Sequence, residues 1–284
     1  MLFRSATPGG RVERHPVDRE GVAGLIAEAR AEGRTRLRET DALAVLDCYG
    51  IPTAPSAMAR SAEEALALAG AVGYPVVLKG IAREVSHKSD VGAVRTGLQN
   101  AVEVLEAWRA IRDAVGRGAP HAYLEGTLIQ RHVTGGRELI AGVTRDKAFG
   151  PLVMVGLGGI YVEVLRDVTF RVAPLTREDA SEMLSEFRAS RILDAVRGLP
   201  AADRGVLEEV LIRLAQLAVD FPEIAEIDCN PLMALPEGAV VVDGRIQLTE
   251  LPTAGDAPLR GAASLRALPG TPSGRPHGTP ASLM

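Results

Sequence analysis

One strand pattern near the C-terminal end of the chain constrains the fold most. Polar and apolar residues alternate from Glu226 to Asn230, and the apolar positions include Ile227 and Cys229. Because successive side chains of a β-strand project to opposite faces, Glu226, Asp228 and Asn230 share one face. Three polar groups on one face of an otherwise apolar strand are costly to bury unless something cationic meets them.

The residues that follow predict a hairpin. A turn centred on residues 236–237 separates this strand from a second one at 239–243. A symmetric hairpin about that turn sets Asn230 opposite Asp243, with Cβ atoms about 4.5–5.5 Å apart. An amide oxygen and a carboxylate at that separation suit a hard cation such as Mg²⁺. A solvent-facing polar edge explains the same alternation, so both interpretations stay open here.

Two other features suit a phosphate-bearing ligand. Lys79 ends the apolar strand pattern 75–78, where an ammonium can project a point charge, although a lysine reaching into solvent is the common alternative. His87 lies in a loop with hydroxyls, a lysine and Gly92, which lets the backbone approach an anion closely. A neutral imidazole is also a competent phosphoryl acceptor. Most loop histidines have no such role, so this hypothesis needs further support.

Several functional classes are excluded by what the sequence lacks. The glycine-rich run 156–159 lies between strand patterns, so it predicts a hairpin turn that could close over a ligand, not a dinucleotide fingerprint. No P-loop or G-x-S-x-G motif occurs. With a net charge of −4 and interspersed charges, the chain has neither a basic stripe for nucleic acid nor a cationic membrane helix.

The expected location is cytoplasmic. Residues 1–10 show no signal peptide, and no apolar run approaches the roughly 20 residues that span a bilayer. The two cysteines, Cys48 and Cys229, are far apart, which favours buried reduced thiols over a disulfide or a zinc site.

Helix and strand patterns alternate through the body of the chain. Helices are predicted at 22–30, at 41–49 with Thr40 as N-cap, at 61–73 with a capping box of Ser61 and Glu64, after the N-cap Asn100, at 177–187 and at 203–219. The helix after Asn100 has Leu105, Trp108, Ile111 and Val115 on one apolar face. Strands are predicted at 75–78, 91–98, 127–130, 138–144, 152–155, 161–165, 224–230 and 239–243. This order predicts an α+β (mixed α/β) fold with two lobes, an early mixed lobe and a later antiparallel lobe wrapped by helices.

Five sequence blocks, taken together and in order, resemble the ATP-grasp portion of ADP-forming acetyl-CoA synthetases. The blocks are residues 74–79, 87–92, 156–163, 170–175 and 226–232. The same portion is fused into larger acyl-CoA synthetase-like chains and protein acetyltransferases. The resemblance implies an ATP-grasp fold in which the nucleotide lies between two lobes.

The resemblance and the composition together predict the domain organisation. Residues 1–38 are expected to be a linker-like segment with a short helix. Residues 39–248 would form the ATP-grasp domain, divided into lobes of 39–120 and 121–248. The tail, 249–284, is dense in proline, glycine, serine and threonine and is expected to be disordered.

The resemblance also implies roles for individual residues. Lys79 would bind the ATP phosphates, and His87 would be the family's second phosphohistidine. Asn230 and Asp243 match the magnesium-ligand positions, and Asp228 matches a catalytic acidic position near the phosphohistidine. The resemblance implies that Gly92 and Glu138 also lie near the nucleotide. Gln130 and Val133 would belong to the hinge that contacts adenine. Glu163 and Arg171 would contact phosphate or metal.

The implied activity is acyl-CoA formation with ATP and Mg²⁺, releasing ADP and phosphate. The chain has no room for the CoA-binding and ligase domains, so an α-type partner subunit would supply them and bring in the carboxylic acid and CoA. Nucleic acid and membrane partners are not expected.

Alternative functions remain open at this level. A regulatory nucleotide-binding module, as in the acetyltransferase-fused form, would bind ATP without full catalysis. An inactive scaffold and a succinyl-CoA synthetase β chain fit less well. The family usually has two glycines after Asp90 and Val91, whereas this chain has Gly92 and Ala93. A methyl group there would cost about 1 kcal/mol if the backbone must approach phosphate or adopt a positive φ, which slightly favours the regulatory module.

Overall fold

Two antiparallel sheets organise the chain in the computed structural model, which describes residues 10–82, 92–118, 124–159, 167–196 and 198–250. The smaller sheet has the strand order β1-β4-β2-β3, with β1 (Ser56–Ala59), β2 (Val76–Ala82), β3 (Val94–Leu98) and β4 (Leu124–Arg131). The larger sheet has the order β10-β8-β5-β6-β7, and β9 also pairs with β8. Its strands are β5 (Arg137–Asp146), β6 (Gly150–Leu157), β7 (Val168–Val172), β8 (Ile224–Ala234), β9 (Ala239–Val241) and β10 (Gly244–Leu248).

Two helices cover the smaller sheet: α3 (Ala62–Val72) and α4 (Ala101–Gly118). The predicted N-caps of both are confirmed, because the Ser61 side chain accepts from the Glu64 amide and Asn100 Oδ1 accepts from the Glu103 amide at 3.1 Å. The Glu64 carboxylate accepts from the Arg60 amide at 2.7 Å, one residue before the position that the predicted capping box requires. The predicted apolar face of α4 is buried in the core of this sheet through Trp108, Ile111 and Val115.

The larger sheet shares its core with four helices: α1 (Arg19–Ala31), α2 (Glu39–Cys48), α5 (Arg177–Glu186) and α6 (Arg204–Asp220). Val22, Ile26 and Ala29 recur at helical spacing and bury one face of α1 in that core. The mixed fold with two sheets and covering helices confirms the predicted α+β class. None of the helices in the described part of the chain combines the length and apolar character needed to cross a bilayer.

The division of the chain between the two sheets does not fall at the predicted lobe boundary, residue 120. Strand β4 follows the expected boundary at residue 120, yet it pairs with β2 over its length and so belongs to the smaller sheet. Helix α2 precedes the smaller sheet in sequence but packs in the larger core. The described part of the N-terminal segment, 10–38, also joins that core through α1. Beyond Glu250, the expected tail lies outside the described residues.

The predictions from local sequence signals also missed or displaced some helix and strand positions. Thr40 is not the N-cap of α2, because the helix begins at Glu39 and the Thr40 hydroxyl lies within the first turn, 3.2 Å from Asp41 Oδ1. Strands β1, β7 and β10 were not predicted, and they are held by pairing with β4, β6 and β8. The strand expected at 161–165 lies outside the described residues.

Gly142 of β5 is expected to be intolerant of a side chain. A Cβ at this position would lie 2.3 Å from the carbonyl oxygen of Ile227 in β8, so backbone would have to shift. We expect Gly142→Ala to lower the free energy of unfolding by about 1–3 kcal/mol in urea titrations. Gly116→Ala is the matched control, because apart from its chain neighbours and the nearby backbone of its own helix no atom lies within 4 Å of its added methyl group. Equal unfolding free energies for the two variants would contradict this account.

Candidate functional site

The predicted hairpin is present and keeps one register from Ala239 to Gln247. Leu232 pairs with Val241, and Cys229 pairs with Gly244, so the register is continuous across the break between β9 and β10. At that break the Asn230 amide donates to the Asp243 carbonyl at 3.0 Å. The predicted opposition of Asn230 and Asp243 is therefore confirmed, and their side-chain oxygens are of the type that Mg²⁺ prefers.

Lys79 meets this hairpin from the smaller sheet. Its ammonium lies 2.7 Å from Glu39 Oε1 at the start of α2 and donates to the Val242 carbonyl at 3.1 Å. The Lys79 side chain is 8% exposed and the Glu39 side chain 6% exposed. The ammonium therefore does not reach into solvent; it is buried beside the residue that precedes Asp243.

Gln130 meets the same carbonyl from the neighbouring strand. Its Nε2 donates to the Val242 oxygen at 3.0 Å, and the residue is fully buried. Gln130 Oε1 is buried and has no hydrogen-bond partner among the described residues. Its side chain therefore anchors the hairpin. A role of Gln130 in the adenine hinge remains a prediction, as does that of the half-buried Val133, which follows β4.

Asp228 lies on the polar face of β8, two residues before Asn230. Burial raises the pKa of its carboxyl group, Arg245 on β10 opposes the rise, and the nearby Asp243 adds to it. Asp228 Oδ1 is buried without a hydrogen-bond partner in the described part of the chain. An ionised carboxylate in this position favours a cationic or proton-donating neighbour.

Two further predicted residues lie in the larger sheet. Glu138 of β5 faces the glycine-rich run, since a Cβ at Gly159 would lie 2.6 Å from Glu138 Oε2. Arg171 of β7 is buried, and its guanidinium donates to Glu182 at 3.2 Å and to Glu186 at 2.8 Å on α5. Arg171 thus ties β7 to α5, and its contact with a phosphate or a metal remains a prediction.

The loop that carries the histidine is described only at its end. His87 and Glu163 both fall outside the described residues, so their roles stay predictions. Gly92 has a φ of 68°, a conformation that favours glycine. The methyl group of Ala93 is fully buried in the core of the smaller sheet, and its carbonyl accepts from the Gly80 amide at 2.8 Å. Ala93 therefore has a packing role.

Residues 28–248 match a family model described as an ATP-grasp domain. The chain belongs to the ATP-grasp family. It is 44% identical to the Acetate--CoA ligase [ADP-forming] I subunit beta of Pyrococcus furiosus, and the match covers 79% of this chain and 96% of that subunit. It is also 44% identical to the Acetate--CoA ligase [ADP-forming] I of Archaeoglobus fulgidus, over 82% of this chain and 34% of that protein.

Solved structures of the Ca. Korarchaeum cryptofilum dinucleotide forming Acetyl-coenzyme A synthetase 1 share this fold. The complex with coenzyme A, Ca-AMPCP and HgCl⁺ has a TM-score of 0.78 at 44% identity, covering 80% of this chain and 99% of the solved one. The complex with coenzyme A and Mg-AMPPCP has a TM-score of 0.72 at 40% identity, covering 80% and 100%, and its phosphohistidine segment points towards the nucleotide binding site. This ATP-grasp chain thus groups with β subunits of ADP-forming acetyl-CoA synthetases, which confirms the predicted family.

Sequence reasoning missed Glu39 and Val242. Glu39 lies 40 residues before its partner Lys79, and Val242 contributes only a backbone carbonyl. A backbone acceptor has no side-chain signature in the sequence. The one available signal was an acidic residue in the first turn of a helix, which is common at helix N-termini for other reasons.

The raised pKa of Asp228 predicts a pH-dependent stability difference. A carboxyl group whose folded-state pKa is raised stabilises the fold most below its unfolded-state pKa, and this contribution is lost as pH rises through the folded-state pKa. In magnesium-free buffer we therefore expect Asp228→Asn to raise the Tm by about 2 °C at pH 7 and by less as the pH approaches 4. Thermal melts of Glu237→Gln, in the exposed turn of the hairpin, are the control. A constant Tm difference between pH 4 and pH 7 would contradict this cause.

Proposed function

We propose that this chain is the nucleotide-binding subunit of an ADP-forming acyl-CoA ligase, of the acetate–CoA ligase type. ATP with Mg²⁺ would bind beside the β8–β10 hairpin, and its γ-phosphoryl group would move to His87. The observation that carries the proposal is the hairpin itself. Its Asn230 and Asp243 face each other, and Val242, next to Asp243, accepts from Lys79.

Each residue of the set would have a distinct part in the transfer. Asn230 and Asp243 would hold Mg²⁺, which neutralises phosphate charge when bound. Lys79 would neutralise a further phosphate oxygen. A ring nitrogen of His87 would replace the ADP oxygen at the γ-phosphorus, and a proton would leave the ring. Asp228 would accept a hydrogen bond from the N–H of the other ring nitrogen, which keeps the attacking nitrogen unprotonated.

Further nucleotide contacts would complete the site. Gly92 would bring its backbone close to phosphate, Gln130 and Val133 would flank adenine, and Glu138 would approach the nucleotide near the glycine-rich run. Glu163 and Arg171 would add phosphate or metal contacts. The predicted cytoplasmic location stays a prediction.

A partner subunit would complete the reaction. The Pyrococcus relative is named a β subunit, and the chain spans 34% of the longer Archaeoglobus ligase, which supports a missing CoA-binding α-type chain. That partner would bring in the carboxylic acid and CoA. The phosphoryl group would pass from His87 through a histidine of the partner to the carboxylate, and CoA would then displace phosphate from the acyl phosphate. The net reaction would convert ATP, a carboxylate and CoA to ADP, phosphate and acyl-CoA.

Phosphorylation of His87 is the direct test of this proposal. Purified protein incubated with γ-labelled ATP and Mg²⁺ should acquire acid-labile, base-stable label, because N–P bonds hydrolyse in acid. We expect His87→Ala to reduce the label to background, while the control variant His277→Ala keeps it. ATP-induced thermal stabilisation without any label would replace the proposal with the regulatory module.

The magnesium ligands give a second, independent prediction. Asp243→Asn keeps the shape of the side chain but removes the charge that would attract the cation. We expect it to weaken Mg-ATP binding at least about tenfold, or about 1.4 kcal/mol, in isothermal titration. Glu237→Gln, in the exposed turn of the same hairpin, should bind as the unmodified chain does. Unchanged binding by Asp243→Asn would move the metal site away from the hairpin.

A further inference from the structure

The ion pair between Lys79 and Glu39 is unusually well buried for two charged side chains, at 8% and 6% exposure. Removing two charges from water carries a desolvation penalty that their attraction often fails to offset, so a buried pair is weak evidence for stability. Such a pair needs another reason to be present. Its position points to one, because Lys79 also contacts the hairpin that carries Asn230 and Asp243.

The contacts of Lys79 define the orientation of its ammonium group. A lysine ammonium has three N–H donors and sits on a flexible stem with many rotamers. Two donors have partners, the Glu39 carboxylate at 2.7 Å and the Val242 carbonyl at 3.1 Å. These acceptors belong to different elements, the first turn of α2 and the hairpin. Two fixed acceptors determine the direction of the third N–H bond.

We propose that Glu39 is a positioning residue for Lys79, which directs the third N–H of the ammonium towards a nucleotide phosphate oxygen. This inference rests on the proposed function, in which Lys79 binds that phosphate. Glu39 itself does not touch the nucleotide. Its carboxylate lies in the first turn of α2, where the partial positive charge of the helix N-terminus favours an anion. Glu39 therefore supplies a rigid anchor, while Mg²⁺ and Lys79 supply the charge that the phosphates need.

A double-mutant cycle separates positioning from a structural role. Mg-ATP binding is measured by isothermal titration for the unmodified chain, Glu39→Gln, Lys79→Met and the double variant. We expect Glu39→Gln to weaken binding about tenfold when Lys79 is present, because the ammonium loses one of its two anchors. In the Lys79→Met background the same change should have no effect. Glu32→Gln is the matched control, since Glu32 pairs with Arg34 and Arg38 just before α2.

Each other outcome overturns the inference. An equal loss in both backgrounds would mean that Glu39 only supports the fold, and tighter binding by Glu39→Gln would mean that Glu39 competes with phosphate. If thermal melts show that Glu39→Gln does not fold, Glu39→Asp replaces it in the cycle. This variant keeps the negative charge but moves it away from Lys79 by the length of one methylene group. Unchanged Mg-ATP affinity of Glu39→Asp would then refute the positioning role. An unmodified chain that binds no Mg-ATP would instead refute the proposed function, and the inference with it.

Discussion

The candidate site is organised around the buried ammonium of Lys79 and its two hydrogen bonds. It joins β2 of the smaller sheet to α2 and to the β8–β10 hairpin, both of which belong to the larger core. A buried charge tolerates little displacement from its partners, because a lost contact leaves it desolvated and unpaired. Gln130 adds a second bond to the same carbonyl. Together they hold the residue before Asp243 against the smaller sheet.

The polar face of β8 carries oxygen groups, whereas Lys79 carries a positive charge. Glu226, Asp228 and Asn230 follow one another on this face, and burial raises the pKa of Asp228. An array of oxygen groups that is partly removed from water is unfavourable by itself and becomes favourable when a cation binds. Phosphoryl transfer depends mainly on positioning and on neutralising charge, and in the proposed function this arrangement of cationic and anionic groups would serve both.

Much of the fold could be predicted because its signals are local. The caps at Ser61 and Asn100, the apolar face of α4 and the register of the final hairpin each depend on residues close in sequence. The missed strands have a different origin. Strand β1, with the short sequence SAMA, lacks β-branched and aromatic residues and is a strand because β4 offers it hydrogen bonds. Helix α2 begins one residue before the expected cap, and its buried residues pack in the larger core.

The sequence by itself determined the α+β class, the family and the opposition of Asn230 and Asp243, because strand alternation, turn position and ordered motifs are properties of contiguous residues. Only the tertiary structure decided the partners of the charged side chains. Lys79 meets Glu39 and Val242 across 40 and 163 residues, and Arg171 is neutralised by α5. Such contacts arise where separate elements pack together, and no periodicity in the sequence records which elements will meet.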